Sequence, residues 1–116
     1  MRLDLPYPAK ELWPNGRAHW ATKSRATAKH KAWAANAAAG LKGLVVGDGP
    51  VPIAIEVCAH PTGPFPDRDN VVAACKSYLD GIAARLGIND RHFAAPSVTF
   101  SDLRSSRFII TIGAQK

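Results

Sequence analysis

The stretch "VPIAIEVCAH" (51–60) alternates, with Val51, Ile53, Ile55 and Val57 on one side and smaller or polar residues on the other. Successive side chains of a strand point to opposite faces. The run therefore describes a strand with one apolar face that the rest of the chain has to cover. Pro52 near its start marks a strand beginning or an edge.

Three other segments read as strands. "RLDLP" (2–6) alternates and stops at Pro6. "SVTFSDL" (97–103) and "RFIITIG" (107–113) predict an antiparallel pair joined by "RSS". Two segments read as helices. Residues 23–39 are rich in alanine and lysine and are followed by Gly40, a helix stop. His30, Trp33, Ala34, Ala37 and Leu41 share one face of that helix, with Arg25 and Lys29 on another. Residues 69–86 form the second, with Val72, Cys75, Leu79, Ile82 and Leu86 as its buried stripe. "YPAKELWPNGRAHWAT" (7–22) holds two prolines, Asn15-Gly16 and two tryptophans, an ordered loop with aromatic anchors. The order β–α–β–α–β–β predicts one α+β domain over residues 1–116, a mixed sheet of about four strands with two main helices.

The 116 residues suit one hydrophobic core, and 47% are apolar, enough to fold. No run of 18 apolar residues is present, so no membrane span is expected. The N-terminal "MRLDLPYPAK" has no secretory apolar core, and Cys58 and Cys75 lack a disulfide framework. Both point to a cytoplasmic protein with reduced, buried thiols. No CxxC or paired His/Cys spacing marks a structural zinc site, and His19, His30, His60 and His92 show no ligand spacing.

Charge is uneven along the chain. Residues 1–42 carry eight Lys/Arg against two Asp/Glu, while residues 43–116 carry seven of each. The whole net charge of +6 thus lies in the first third. Such a basic region favours a polyanionic partner, because each neutralised phosphate releases counterions. Arg17, His19, Lys23, Arg25, Lys29 and Lys31 are the candidate phosphate contacts.

Against that background "PDRDN" (66–70) stands out. Asp67 and Asp69 are two apart, which in extended backbone puts both carboxylates on one side. Asp69 alone reads as a cap for the helix that follows; Asp67 has no such explanation. Paired carboxylates repel unless a proton or cation lies between them, and a hard divalent ion wants such oxygen ligands. Further along the same helix, Lys76 and Asp80 fall about 20° to either side of Asp69, one stripe about 40° wide. Lys76 and Asp80 also have the spacing of an ordinary i, i+4 surface pair. Asp90, in the loop after the helix, is the remaining acid able to return to the site.

These residues in this order resemble the RusA-type Holliday junction resolvases, small and mostly phage-derived endodeoxyribonucleases of DNA recombination and repair. The matching pieces are "LPYP" (5–8), Asn15 and Arg17, "DRDN" (67–70), Lys76, "LDG" (79–81), "ND" (89–90) and the closing strands. The resemblance covers nearly the whole chain. It implies a homodimer that binds four-way DNA junctions, needs Mg²⁺ or Mn²⁺, and nicks two opposing strands symmetrically. It also implies that Asp67, Asp69 and Asp90 are the metal-binding catalytic carboxylates and Lys76 the catalytic lysine; Asp80, placed by spacing on the same stripe, is a candidate supporting residue behind them. Asn15, Arg68 and Asn70 would touch DNA or orient the ligands. In the family's best-known member the lysine follows the second aspartate by four residues; here that position is Ala73 and Lys76 follows by seven. The ammonium then starts about 4.5 Å further along the axis on nearly the same face. A non-catalytic DNA-binding module and a nuclease for other branched DNA remain the alternatives. The lopsided charge argues against a phosphohydrolase of small molecules.

Overall fold

A computed structural model describes residues 2–14, 20–39 and 50–113 of the chain, with the backbone only at Asp90. Its strands are β1 (Arg2–Pro6), β2 (Ile53–Cys58), β3 (Ser97–Phe100) and β4 (Arg107–Ile112). Its helices are α1 (Trp20–Ala38), α2 (Arg68–Ala74) and α3 (Lys76–Leu86), with short 3-10 turns at Lys10–Leu12 and Asp90–His92. The strands form one mixed sheet in the order β1-β4-β2-β3. β4 runs antiparallel to both β1 and β2, and β3 runs parallel to β2.

Alternation in each strand puts matching apolar residues in rows across the sheet. Leu3 faces Ile110, which faces Ile55, which faces Val98. Leu5, Phe108, Val57 and Phe100 form the next row. Except for the half-buried Phe100, all of these are buried. Burying each such side chain contributes about 1.5–3 kcal/mol, so these rows are the main stabilising feature of the sheet.

α1 and α3 pack together, with Ala34 and Ala38 of α1 and Tyr78 and Ile82 of α3 joining the strand rows in one core. Their approach is very close at Gly81, where a Cβ would land on the Lys31 carbonyl of α1. Tyr78 ties this layer to the sheet by donating its hydroxyl hydrogen to the Pro6 carbonyl at 2.6 Å. His30 is buried against Tyr78 and Trp33. Its Nδ1–H donates to the Ala26 carbonyl at 2.8 Å, and its Nε2 accepts from the Ala9 amide at 3.1 Å. That pairing fits one neutral tautomer, and burial pushes the imidazole below its usual range, with Lys29 acting the same way. α3 ends at Gly87, whose φ of 73° takes the left-handed conformation a helix stop requires.

The α+β class, the single mixed sheet and its four strands agree with the sequence reading. Three of its details do not. First, β3 and β4 are not a hairpin. Both edges of β4 are taken, by β1 and β2, so residues 101–106 cross the end of β2 instead. The amides of Ser101 and Ser106 hold that crossing by donating to Val57 and Ala59 carbonyls. Second, the helix expected over 69–86 begins at Arg68 and is interrupted at Cys75. There the Cys75 amide is shared between the Val71 and Val72 carbonyls at 3.0 and 3.2 Å, a tightened turn that ends α2. This interruption makes three helices of the expected two. Third, α1 begins at Trp20 rather than residue 23. Cys58 and Cys75 are free, buried thiols, and burial pushes the Cys75 thiol well above the usual range. Leu41 and Gly40 lie outside the described residues. No described helix is long and apolar enough to cross a membrane.

Candidate active site

The segment leading from β2 to α2 is pinned before it reaches the aspartates. Arg104 donates to the carbonyls of His60 and Gly63 at 2.9 and 3.0 Å, and its guanidinium lies over the Phe65 ring. Phe65 in turn meets Phe100 of β3 edge-on at 5.5 Å. Arg68 donates to the Val98 carbonyl at 3.0 Å and also sits over Phe100. Arg68, expected to contact DNA, thus has a fixing role on the β3 edge. Nothing in the alternation of "SVTFSDL" pointed to Arg104 or Phe65 as its partners.

On this pinned loop Asp67 and Asp69 are both exposed. Asp67, not Asp69, occupies the N-cap position of α2, with extended backbone (φ −70°, ψ 142°). Its carboxylate makes no capping hydrogen bond, so it is not spent on the helix it precedes. Asp69 stands in the first turn, where the positive end of the helix dipole favours a carboxylate by about 0.3–1 kcal/mol. Asn70 follows, half-buried.

Past the Cys75 break, Lys76 opens α3 and lies 3.8 Å from Asp80. Lys76 is largely exposed and Asp80 about one-third so, which limits the pair to a fraction of a kcal/mol. Hollows open on both sides of the pair. One, about 290 Å³, runs between α3 and the segment Phe93–Pro96 and includes Val72 and Leu79. The other, about 350 Å³, lies between α3 and the start of α1. Lys76, Asp80 and Ala73 border both. Lys76 and Asp80 therefore form a ridge between two depressions, whereas Asp69 borders neither hollow and stands on α2, across the Cys75 break from them.

Asp90 opens the 3-10 turn Asp90–His92 that packs near α3. The turn is set by Asn89, whose side-chain oxygen accepts the Arg91 amide at 3.0 Å. The side chain of Asp90 lies outside the description, as do Asn15, Arg17 and His19. Among the described residues no three His, Cys, Asp or Glu side chains come together as a ligand set. Because α2 already begins at Arg68, Asp69 is helical, and the shared side that extended backbone would give Asp67 and Asp69 does not follow from their spacing.

The expected basic face divides on α1. Lys23, Arg25, Lys29 and Lys31 are all exposed. Around the helix axis Arg25 and Lys29 stand about 200° and 240° from Lys23. Lys23 faces α3 and borders the larger hollow, whereas Lys29 lies over the Trp33 ring at 4.8 Å. Trp13 is an anchor: it stacks on Tyr7 at 5.4 Å and donates its indole N–H to the Pro8 carbonyl. Trp20, at the start of α1, is 75% exposed.

No family model matches the chain. It is similar to an uncharacterized protein of Xylella fastidiosa, at 39% identity over 116 residues, spanning 95% of this chain and 74% of the relative. The chain belongs to the family of that protein.

Proposed function

We propose that the chain is a Mg²⁺- or Mn²⁺-dependent endodeoxyribonuclease of branched DNA, a RusA-type resolvase that acts on four-way junctions as a cytoplasmic homodimer. The observation that carries this reading is the pair of exposed carboxylates at the pinned start of α2. Asp67 is not used as a cap, and Lys76 and Asp80 follow on the next helix. A bound divalent ion would polarise the scissile phosphodiester and acidify an attacking water.

The chain's own residues supply the remainder. Asp67 and Asp69 hold the ion, and the resemblance adds Asp90 as the third ligand. Lys76 neutralises charge that builds on the phosphate in the transition state. Arg68, Phe65 and Arg104 keep the two aspartates in place relative to the sheet. Lys23 and the other cations of α1 contact backbone phosphates, which position DNA without reading sequence.

The test is a labelled synthetic four-way junction, incubated with and without Mg²⁺ with native protein and with Asp69→Asn. Native protein is expected to nick two opposing strands only when the ion is present. The substituted protein should bind the junction equally well and cut at least about a hundredfold more slowly. Equal cutting by both would remove the catalytic assignment. A second reading, a basic DNA-binding module in which the acids only support α2, draws on Asp69 standing in the first turn of α2, where the helix dipole favours a carboxylate. It requires salt-sensitive binding and no ion-dependent cleavage in the same assay.

A further inference from the structure

The hollow between α3 and the start of α1 holds a group that the fold leaves unsatisfied. Ser77, 5% exposed, lines it, and its Oγ is the one enclosed side-chain atom among the described residues without a hydrogen-bond partner. Enclosed hydroxyls are normally paired, because leaving one unmade forfeits its hydrogen bonds to water. On the same wall stand the ammonium-bearing side chains of Lys23 and Lys76. Leu12 lines the hollow from the 3-10 turn beside β1, giving it a partly apolar wall. Thr27 contributes no free donor, because its hydroxyl hydrogen is given to the Lys23 carbonyl at 2.9 Å. Asp80 is the one acid on the wall, and it lies beside Lys76.

We propose that this hollow is a phosphate subsite, in which Lys23 and Lys76 neutralise a phosphate group and Ser77, turning its enclosed hydroxyl about the Cα–Cβ bond towards the hollow, donates the hydroxyl hydrogen to one of the oxygens. Two ammonium groups against one carboxylate leave the wall net positive. A charged acceptor also makes the stronger kind of hydrogen bond with a hydroxyl. Asp80 then sets affinity in the opposite sense: it competes with the phosphate for Lys76 and repels it. The subsite stands on the hollow itself. That its phosphate belongs to a DNA backbone, next to the scissile one, rests on the nuclease reading.

Binding is measured by titrating native protein, Ser77→Ala and Asp80→Asn with inorganic phosphate, a mononucleotide and an uncut four-way junction held in EDTA. Thermal melts are run in parallel. Ser77→Ala is expected to weaken binding roughly tenfold while its melting temperature stays level or rises, since it deletes an unpaired hydroxyl. Asp80→Asn is expected to tighten binding severalfold. Unchanged affinity of Ser77→Ala for all three probes would overturn the subsite, as would weaker binding by Asp80→Asn. Loss confined to inorganic phosphate and the mononucleotide keeps the subsite and overturns its assignment to DNA. Loss of junction affinity in a protein that never cuts with Mg²⁺ leaves the subsite standing and sinks the nuclease reading.

Discussion

The four described cations of α1 are not equivalent, and their positions say which should matter. Lys23 looks across the larger hollow towards Lys76. Arg25 and Lys29 point to roughly the opposite side of the helix, about 200° and 240° away. A single duplex arm lying along the α3 side can reach Lys23 without touching the other two. Lys23→Gln should therefore weaken junction binding and lower the slope of log affinity against log salt by about one. Arg25→Gln should leave the slope nearly unchanged. The measurement is a salt series for each protein, and equal slopes for the two variants would mean that DNA wraps α1 rather than lying on one side of it. Arg68 belongs in a different group from these cations, since its guanidinium is committed to the Val98 carbonyl and the Phe100 ring.

At the scale of elements, the α1–α3 contact limits the fold most tightly. Gly81 sits where any side chain would meet the Lys31 carbonyl, and backbone cannot swing aside as a side-chain end can. Gly81→Ala should cost about 1–3 kcal/mol through this overpacking, read as a lower urea midpoint. It would do so although alanine is the better helix former. The same interface carries a pH dependence. His30 is held neutral and its pKa lies below the usual value, whereas in the unfolded chain it titrates near about 6.5. As pH falls below that value the unfolded chain takes up a proton that the native state resists. Stability is thus full above about 6.5 and declines as pH falls towards the folded pKa. Urea midpoints measured from pH 8 to pH 5 should fall for native protein and fall less for His30→Gln; parallel curves would remove His30 as the cause.

This interface also shows what local pattern can and cannot convey. Local pattern predicted all four strands, and alternation gave the buried face of β2, because period two follows from the backbone alone. It could not say that β2 separates β3 from β4, since pairing order depends on a crossing that only the tertiary fold imposes. The Cys75 break was likewise hidden, because an amide shared by two carbonyls leaves no mark in residue type. The Lys76–Asp80 pair was legible from spacing, whereas the break that sets Asp69 on a separate helix and the burial of Ser77 were not. A serine in a helix usually looks solvated, and only burial reveals that its hydroxyl is unpaired.

For the whole molecule, size bears on mechanism. A protomer about 38 Å in its longest extent covers roughly eleven base pairs at 3.4 Å each along a strand. On the proposed resolvase reading, one chain supplies one pinned pair of aspartates, so cutting two opposing strands of a junction would call either for two chains or for one site that moves between strands. A twofold dimer on a twofold junction resolves this by symmetry, with one site on each strand. Mixed dimers separate the two schemes. Native protein is combined with tagged Asp69→Asn protein, and dimers holding one of each are isolated by the tag and given a junction with Mg²⁺. Each mixed dimer should nick one strand and stop, so singly nicked junctions accumulate while resolved duplex products fall to a small fraction of the native yield. Resolution at the native rate would show instead that one active site serves both strands in turn, and the second chain would then be needed for holding the junction rather than for cutting it.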